Sequence, residues 1–154
     1  MITAWRIVKA RHAADAFSGE GARLYGGRWN HRGTPVVYLG GSLALAALEY
    51  FVHLGAYAAG LRFVALRVEI PRGVRVREVA LAALPRLWRA EPPPDETKDL
   101  GTRWIRAAAT AVLRVPSVIV PAESNYLVNP AHPDFRKLAI GAPEPFAFDP
   151  RMWK

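Results

Sequence analysis

The stretch from Gly21 to Leu54 constrains the fold of this chain more than any other segment. It reads GARLYGGRWNHRGTPVVYLGGSLALAALEYFVHL, a glycine-rich loop followed by a short apolar run and a longer one. Five glycines between residues 19 and 33 predict a loop that bends sharply and lets other groups approach its backbone. The run Pro35–Leu39 predicts a buried strand, and Ser42 is a good N-cap for the helix that follows. We therefore predict a buried strand–turn–helix unit here.

The rest of the chain adds strands to this unit. Because the chain has 154 residues and half of them are apolar (51%), we expect one domain, residues 1–154, with its own core. Alternation and helical spacing predict further strands and a second main helix, Asp99–Leu113; the strands are Thr3–Val8, Phe63–Ile70, Val74–Val79, Ser117–Val120 and Asn125–Val128. Strands mixed irregularly with two helices predict an α+β fold.

Composition narrows the classes of function and partner. The formal net charge of +8 favours anionic partners such as nucleotides, nucleic acid or an acidic protein. There is no cysteine, which excludes disulfides and cysteine metal ligands and is compatible with the cytoplasm, where we expect the protein. The four histidines lack metal-site spacing, so we expect no metal. The apolar stretch 36–61 is interrupted by Gly40, Gly41 and Glu49, so we expect no membrane span.

Glu49 is the one acidic residue of the apolar helix. Ser42, Glu49 and His53 are seven and four residues apart and therefore share one stripe of the helix. Two interpretations are open: the stripe faces water, or it lines a cleft. In a cleft, a carboxylate could stabilise an oxocarbenium-like state during cleavage of a glycosidic bond, or accept a hydrogen bond from a ribose hydroxyl.

Other candidate site residues lie on either side of the Glu49 helix. Guanidinium groups bind phosphate oxygens through paired N–H donors, so Arg6 on the first strand and Arg28 in the glycine-rich loop could bind a phosphate group. Tyr38 on the strand before the helix could stack on a flat heterocycle or belong to the core. Ser124 and Asn125 precede or begin an extended segment, a common location for site residues.

These segments together resemble a known family. GARLYGGRWNHRGTPVVYLGGSLALAALEYFVHL, followed far downstream by PAESNYLVNPAHPDF, is similar to the RES domain, which is named for an arginine, a glutamate and a serine. The resemblance covers nearly the whole chain. It matches the arginine to Arg28, the glutamate to Glu49, the serine to Ser124, an active-site tyrosine to Tyr38 and an N-terminal basic residue to Arg6.

The resemblance implies a fold, an activity and partners. The fold would be like that of ADP-ribosyltransferases, a compact domain with a split, mostly antiparallel sheet flanked by helices. The protein would be the toxin of an Xre–RES toxin–antitoxin pair. Its activity would be cleavage of the nicotinamide–ribose bond of NAD⁺ by hydrolysis or phosphorolysis, which would cause growth arrest. NAD⁺ would be a substrate rather than a cofactor, with inorganic phosphate as an optional co-substrate. Arg28, Tyr38, Glu49 and Ser124 would be catalytic, and Arg6 and Asn125 would help to bind NAD⁺.

Several alternatives remain open at this point. The same site could transfer ADP-ribose to a protein. A basic nucleic-acid-binding module is consistent with the charge, but no recognition motif supports direct nucleic-acid binding. We expect an Xre-type antitoxin to block the cleft, and a homodimer or a larger complex with the antitoxin remains open.

Overall fold

A computed structural model describes the backbone of residues 1–154 and every side chain except that of Tyr57. Its three α-helices are α1 (Glu20–Tyr25), α2 (Leu43–Phe51) and α3 (Asp95–Ala107). Its eight strands are β1 (Ile2–Lys9), β2 (Val37–Gly40), β3 (Phe63–Ile70), β4 (Val76–Glu78), β5 (Val112–Pro116), β6 (Ser124–Val128), β7 (Ala139–Ile140) and β8 (Glu144–Phe146). Short 3₁₀ turns cover 10–15, 56–60, 81–83, 133–137 and 150–153.

The strands form one sheet that is nearly divided in its middle. Its order is β4-β5-β6-β2-β1-β3-β7, with β8 also paired to β3. All pairs are antiparallel except β4 with β5. Strands β1 and β3 pair along their whole length, whereas β1 and β2 share the single pair Trp5↔Gly40. The α+β fold with a split, mostly antiparallel sheet is therefore confirmed.

Side chains alternate between the two faces of this sheet, as they do on any strand. One face buries a cluster that includes Val37, Leu39 and Val128. On the other face, Leu113, Val115 and Leu127 pack against Trp29 of the glycine-rich loop and Trp104 of α3. Helix α2 packs on this second face too, where its Ala46 joins Ile7, Phe63 and Phe148. The second face thus receives the loop and helix of the Gly21–Leu54 stretch.

The predicted strand–turn–helix unit is present. The hydroxyl of Ser42 caps α2 by accepting a hydrogen bond from Leu45 N at 3.0 Å. A cap satisfies one of the free N–H groups at a helix start, which explains why the chain turns into the helix here. Helix α2 ends at Phe51, whereas the sequence predicts an end near Leu54, before Gly55. Helix α1 occupies part of the stretch predicted as loop.

Two predicted boundaries in the second half are wrong. Helix α3 covers 95–107 rather than 99–113, because Ala108 adopts a left-handed φ of 50° that ends the helix. The strand predicted at Ser117–Val120 is absent from those residues. The strand of this region is β5, which ends just before them at Pro116. At Ser117 the chain turns instead, since its hydroxyl accepts hydrogen bonds from Ile119 N and Val120 N at 3.1 and 3.0 Å.

None of the helices described here combines the length and the apolar character needed to cross a membrane.

Candidate active site

A carboxylate cluster forms where α2 meets the ends of β5 and β6. Glu49 of α2 is half-buried, and its Oε1 accepts hydrogen bonds from Ser117 Oγ at 2.6 Å and Asn125 Nδ2 at 2.7 Å. Hydrogen bonds to a charged acceptor are stronger than those between neutral groups. The stripe of α2 that carries Glu49 therefore faces polar partners from the sheet at this residue. We call Glu49, Ser117 and Asn125 the carboxylate cluster.

The hydrogen bonds of Ser117 fix the direction of its hydroxyl proton. The residue is fully buried, and its oxygen already accepts from Ile119 N and Val120 N. A hydroxyl has two acceptor positions and one donor. With both acceptor positions used, the O–H donates to Glu49. The turn after β5 thus provides a preset donor for the carboxylate.

The orientation of the Asn125 amide follows from the same carboxylate. Its nitrogen donates to Glu49, and a flipped amide would place two oxygens against each other there. The Oδ1 atom consequently points away from Glu49. It is buried and has no hydrogen-bond partner among the described side chains and backbone. Such a group is costly to leave unsatisfied, so Oδ1 is a position at which a ligand donor would be stabilised.

The carboxylate cluster holds Glu49 by one oxygen only. Both hydrogen bonds that involve described groups end on Oε1. Oε2 keeps its capacity to accept, because a carboxylate has about four acceptor positions. The protein therefore holds the charge in place and leaves one oxygen for a ligand.

Arg28 provides the basic group of the site. Its Nη1 donates to Trp88 O at 2.9 Å and to Ala90 O at 2.8 Å, and its Nη2 donates to the carboxylate of Glu91 at 3.0 Å. Only 11% of the Arg28 side chain is exposed. A guanidinium has five N–H donors, so Nε–H and one N–H of Nη2 remain without a described partner. Arg28 is thus oriented by the segment 88–91, with donors to spare.

Electrostatics link Arg28 to the carboxylate cluster. Burial lowers the pKa of Arg28, and the negative charges of Glu91 and Glu49 act against this shift. Glu49 is therefore near enough to interact with the guanidinium across the site. At neutral pH the arginine remains charged, because the ordinary pKa of arginine lies far above 7. The charges of this cation and of the half-buried carboxylate thus interact, an arrangement that suits a zwitterionic or nucleotide-like ligand.

Tyr38 ties the Arg28 loop to β2. Its hydroxyl donates to Asn30 Oδ1 at 2.5 Å and accepts from Trp29 N at 3.2 Å. Burial raises the pKa of Tyr38, so the phenol stays neutral. Gly27 must be glycine in this arrangement, since a Cβ there would lie 2.7 Å from the Tyr38 hydroxyl oxygen. The hydroxyl is occupied by the protein, and the ring is what Tyr38 can offer to a ligand.

Arg6 lies at the narrow junction of β1 and β2. Its Nε donates to Ala16 O at 2.5 Å and its Nη1 donates to Tyr38 O at 3.1 Å. Burial lowers the pKa of Arg6 to about 10, which leaves it charged at neutral pH. The guanidinium therefore bridges the two halves of the sheet next to Tyr38.

Ser124 lies apart from the carboxylate cluster. Successive side chains of a strand point to opposite faces, and Ser124 precedes Asn125 on β6. Its hydroxyl accepts from Arg114 Nε at 2.9 Å, and both residues line a surface cavity with Gly41 and Tyr126. The structure thus brings Arg28, Tyr38, Glu49 and Asn125 to one region and directs Ser124 elsewhere. Arg6 reaches this region through the backbone carbonyl of Tyr38.

Two site residues were missed by reasoning from the sequence. Ser117 was placed inside a predicted strand, although a serine directly after Pro116 at a strand end was a usable signal. Asn30 lies within the GGRWN motif, but its role could not be read from the motif. It is fully buried, and its Nδ2 donates to Ala22 O, His31 O and Thr34 O at 2.9, 3.1 and 3.3 Å. Asn30 thereby holds the loop that carries Arg28.

Comparisons with known proteins agree over nearly the whole chain. The family model described as RES domain matches residues 3–149. A protein of Yersinia enterocolitica named "Toxin Res" is 40% identical over 149 residues, covering 96% of this chain and 97% of that protein. A protein of Sphingobium sp. named "Prs ADP-ribosylating toxin" is 43% identical over 152 residues, covering 96% and 94%.

A solved structure has the same fold. A chain in the crystal structure of the M. tuberculosis MbcT-MbcA toxin-antitoxin complex superposes with a TM-score of 0.76 at 17% identity, covering 99% of this chain and 86% of that one. At this identity the likeness concerns the fold alone.

Proposed function

Because the chain belongs to the RES domain family, we propose that it is the toxin of a toxin–antitoxin pair and that it cleaves the nicotinamide–ribose bond of NAD⁺. The observation that carries this proposal is the carboxylate cluster. Glu49 is held through Oε1, keeps Oε2 for a ligand and interacts electrostatically with the charged Arg28. The names of the relatives support the toxin role.

Each side of the site has a role in this reaction. Arg28 binds a phosphate oxygen of the pyrophosphate, using the N–H donors that the segment 88–91 leaves unused. Arg6 adds positive charge at the split of the sheet. The ring of Tyr38 packs near nicotinamide, and Oδ1 of Asn125 accepts a hydrogen bond from a substrate donor.

Glu49 acts on the bond that breaks. As the C–N bond lengthens, nicotinamide leaves with the bonding electrons as a neutral amide, and positive charge develops on the ribose. A fixed carboxylate stabilises that charge without reorganisation. Water or inorganic phosphate then forms the new bond to the ribose and releases a proton. Ser117, rather than Ser124, is the serine that positions Glu49, because its hydroxyl donates to that carboxylate.

Proton NMR of NAD⁺ incubated with purified protein tests the proposal. Wild type is expected to release nicotinamide, and Glu49→Gln to release it at least about 100-fold more slowly, since the amide lacks the charge. Glu96→Gln is the matched control, because Glu96 is an exposed glutamate at the start of α3. Equal rates for wild type and Glu49→Gln would remove Glu49 from the mechanism, and intact NAD⁺ with wild type would overturn the reaction.

The second candidate function differs from the first in the group that accepts the ADP-ribose. One relative is named an ADP-ribosylating toxin, which favours transfer to a protein. Labelled NAD⁺ separates the outcomes. Free ADP-ribose indicates hydrolysis, a phosphate-dependent product indicates phosphorolysis, and label on a protein band indicates transfer.

A partner protein completes the proposal. An antitoxin, which we expect to be of the Xre type, would cover the cleft, and its acidic groups would complement the net charge of +8. The structural relative belongs to a toxin-antitoxin complex. Expression of this chain alone is expected to arrest growth, and co-expression of the neighbouring gene product is expected to restore growth and to yield a stable complex.

A further inference from the structure

Glu91 pairs with the guanidinium to which the proposed function assigns a phosphate group. Its carboxylate accepts from Nη2 at 3.0 Å. Two N–H donors of Arg28 are left without a described partner: the second N–H of Nη2 and the N–H of Nε. A phosphate group binds a guanidinium best through two parallel N–H donors. The unused donors stay open to a phosphate, but the negative charge of Glu91 lies on the same Nη2 and opposes an incoming phosphate.

The two partners of this ion pair differ in how firmly they are held. Only 11% of the Arg28 side chain is exposed, and two backbone carbonyls fix its Nη1. The Glu91 side chain is 74% exposed and has no second contact among the described hydrogen bonds. Water and salt screen an ion pair in which one partner is this exposed, so the pair is readily broken. Glu91 can swing into solvent while Arg28 stays in place.

We propose that Glu91 is a displaceable counter-ion that competes with the phosphate groups of the ligand for the positive charge of Arg28 and so raises the ligand concentration needed to fill the site. The inference rests on the proposed function for the identity of the substrate. The competition itself concerns any ligand that carries a phosphate. Trp88 and Ala90 are not displaced, because their carbonyls bind the other nitrogen.

Calorimetric titration with inorganic pyrophosphate tests the competition without any reaction. Glu91→Gln keeps an acceptor oxygen but removes the charge, so its Kd for pyrophosphate is expected to fall about two- to fivefold. Glu96→Gln is the matched control, since it makes the same change of net charge five residues away on an exposed site. Its Kd is expected to equal that of wild type. A Kd for Glu91→Gln equal to or above that of wild type would overturn the inference, as would absence of pyrophosphate binding to both.

Steady-state kinetics with NAD⁺ separate this inference from the proposed function. Glu91→Gln is expected to lower KM by the same factor and to leave kcat unchanged, because only ligand binding competes with Glu91. A lower kcat with unchanged KM would overturn the inference. If wild type does not cleave NAD⁺, the proposed function fails, and the pyrophosphate titration still decides the role of Glu91.

Discussion

The two charged sides of the candidate site are built in different ways. The carboxylate of Glu49 projects from a helix and is held by side chains at the ends of two sheet strands. The guanidinium of Arg28 projects from a loop and is held by backbone carbonyls and an exposed glutamate of another loop. The acidic side is therefore preset by side chains at the sheet ends, whereas the basic side is adjustable only through Glu91, the displaceable partner of a fixed guanidinium. In the proposed reaction, the rigid side faces the bond that breaks and the adjustable side faces the phosphates.

The largest change in activity that would test this comparison is expected from replacing the two serines, Ser117 and Ser124. Ser117→Ala removes a hydrogen bond to a charged group, which is worth about 1.5–3 kcal/mol, so kcat for NAD⁺ cleavage should fall about 10- to 100-fold. Ser124→Ala is the matched variant and should leave kcat within about twofold, because Ser124 contacts Arg114. A larger loss for Ser124→Ala than for Ser117→Ala would show that the acidic side is not preset by Ser117.

A second effect concerns the hydroxyl that joins the Arg28 loop to the sheet. Tyr38→Phe leaves Asn30 Oδ1 and Trp29 N without this partner, so the free energy of unfolding should fall by about 2 kcal/mol in urea denaturation. Tyr25→Phe is the control, since Tyr25 is 76% exposed. Equal stability of Tyr38→Phe and wild type would mean that the loop is held without this hydroxyl.

The same tyrosine predicts a pH dependence. Burial raises the pKa of Tyr38 in the folded state, so above about pH 10 the unfolded chain loses this proton while the folded protein keeps it. The contribution to stability is constant below the unfolded pKa and is lost as pH rises above it. The alkaline fall in the free energy of unfolding should therefore be shallower for Tyr38→Phe than for wild type. Identical slopes would contradict the assignment of a buried neutral phenol.

The smallest of these effects is expected on the adjustable side. Arg28→Lys keeps the charge but removes the planar fork of donors. A lysine therefore cannot bind the two carbonyls, Glu91 and a phosphate at the same time. KM for NAD⁺ should rise about tenfold, equivalent to about 1.4 kcal/mol, with a smaller change in kcat. Arg32→Lys, on the exposed part of the same loop, is the control. A fall in kcat alone would place Arg28 at the bond that breaks and would reverse the comparison.

Local patterns predicted the regular elements well. The strand Phe63–Ile70 and the Ser42 cap of α2 are where the sequence placed them, because alternation and capping depend on neighbouring residues. Boundaries failed where one side chain redirects the backbone. The hydroxyl of Ser117 binds two N–H groups ahead of it, and this turns a run of β-branched residues, which otherwise resembles a strand, out of the sheet.

The sequence by itself determined the family, the α+β class and the identity of Arg28, Tyr38 and Glu49 as candidate site residues. Only the tertiary structure decided which groups surround them. Ser117 meets Glu49 across 68 residues, and Glu91 meets Arg28 across 63. Such pairings depend on strand register and on the path of loops, which are set by packing of the whole core. No local sequence pattern encodes these pairings. For this reason the sequence motif indicated Ser124 as the site serine, whereas the folded chain places Ser117 against Glu49.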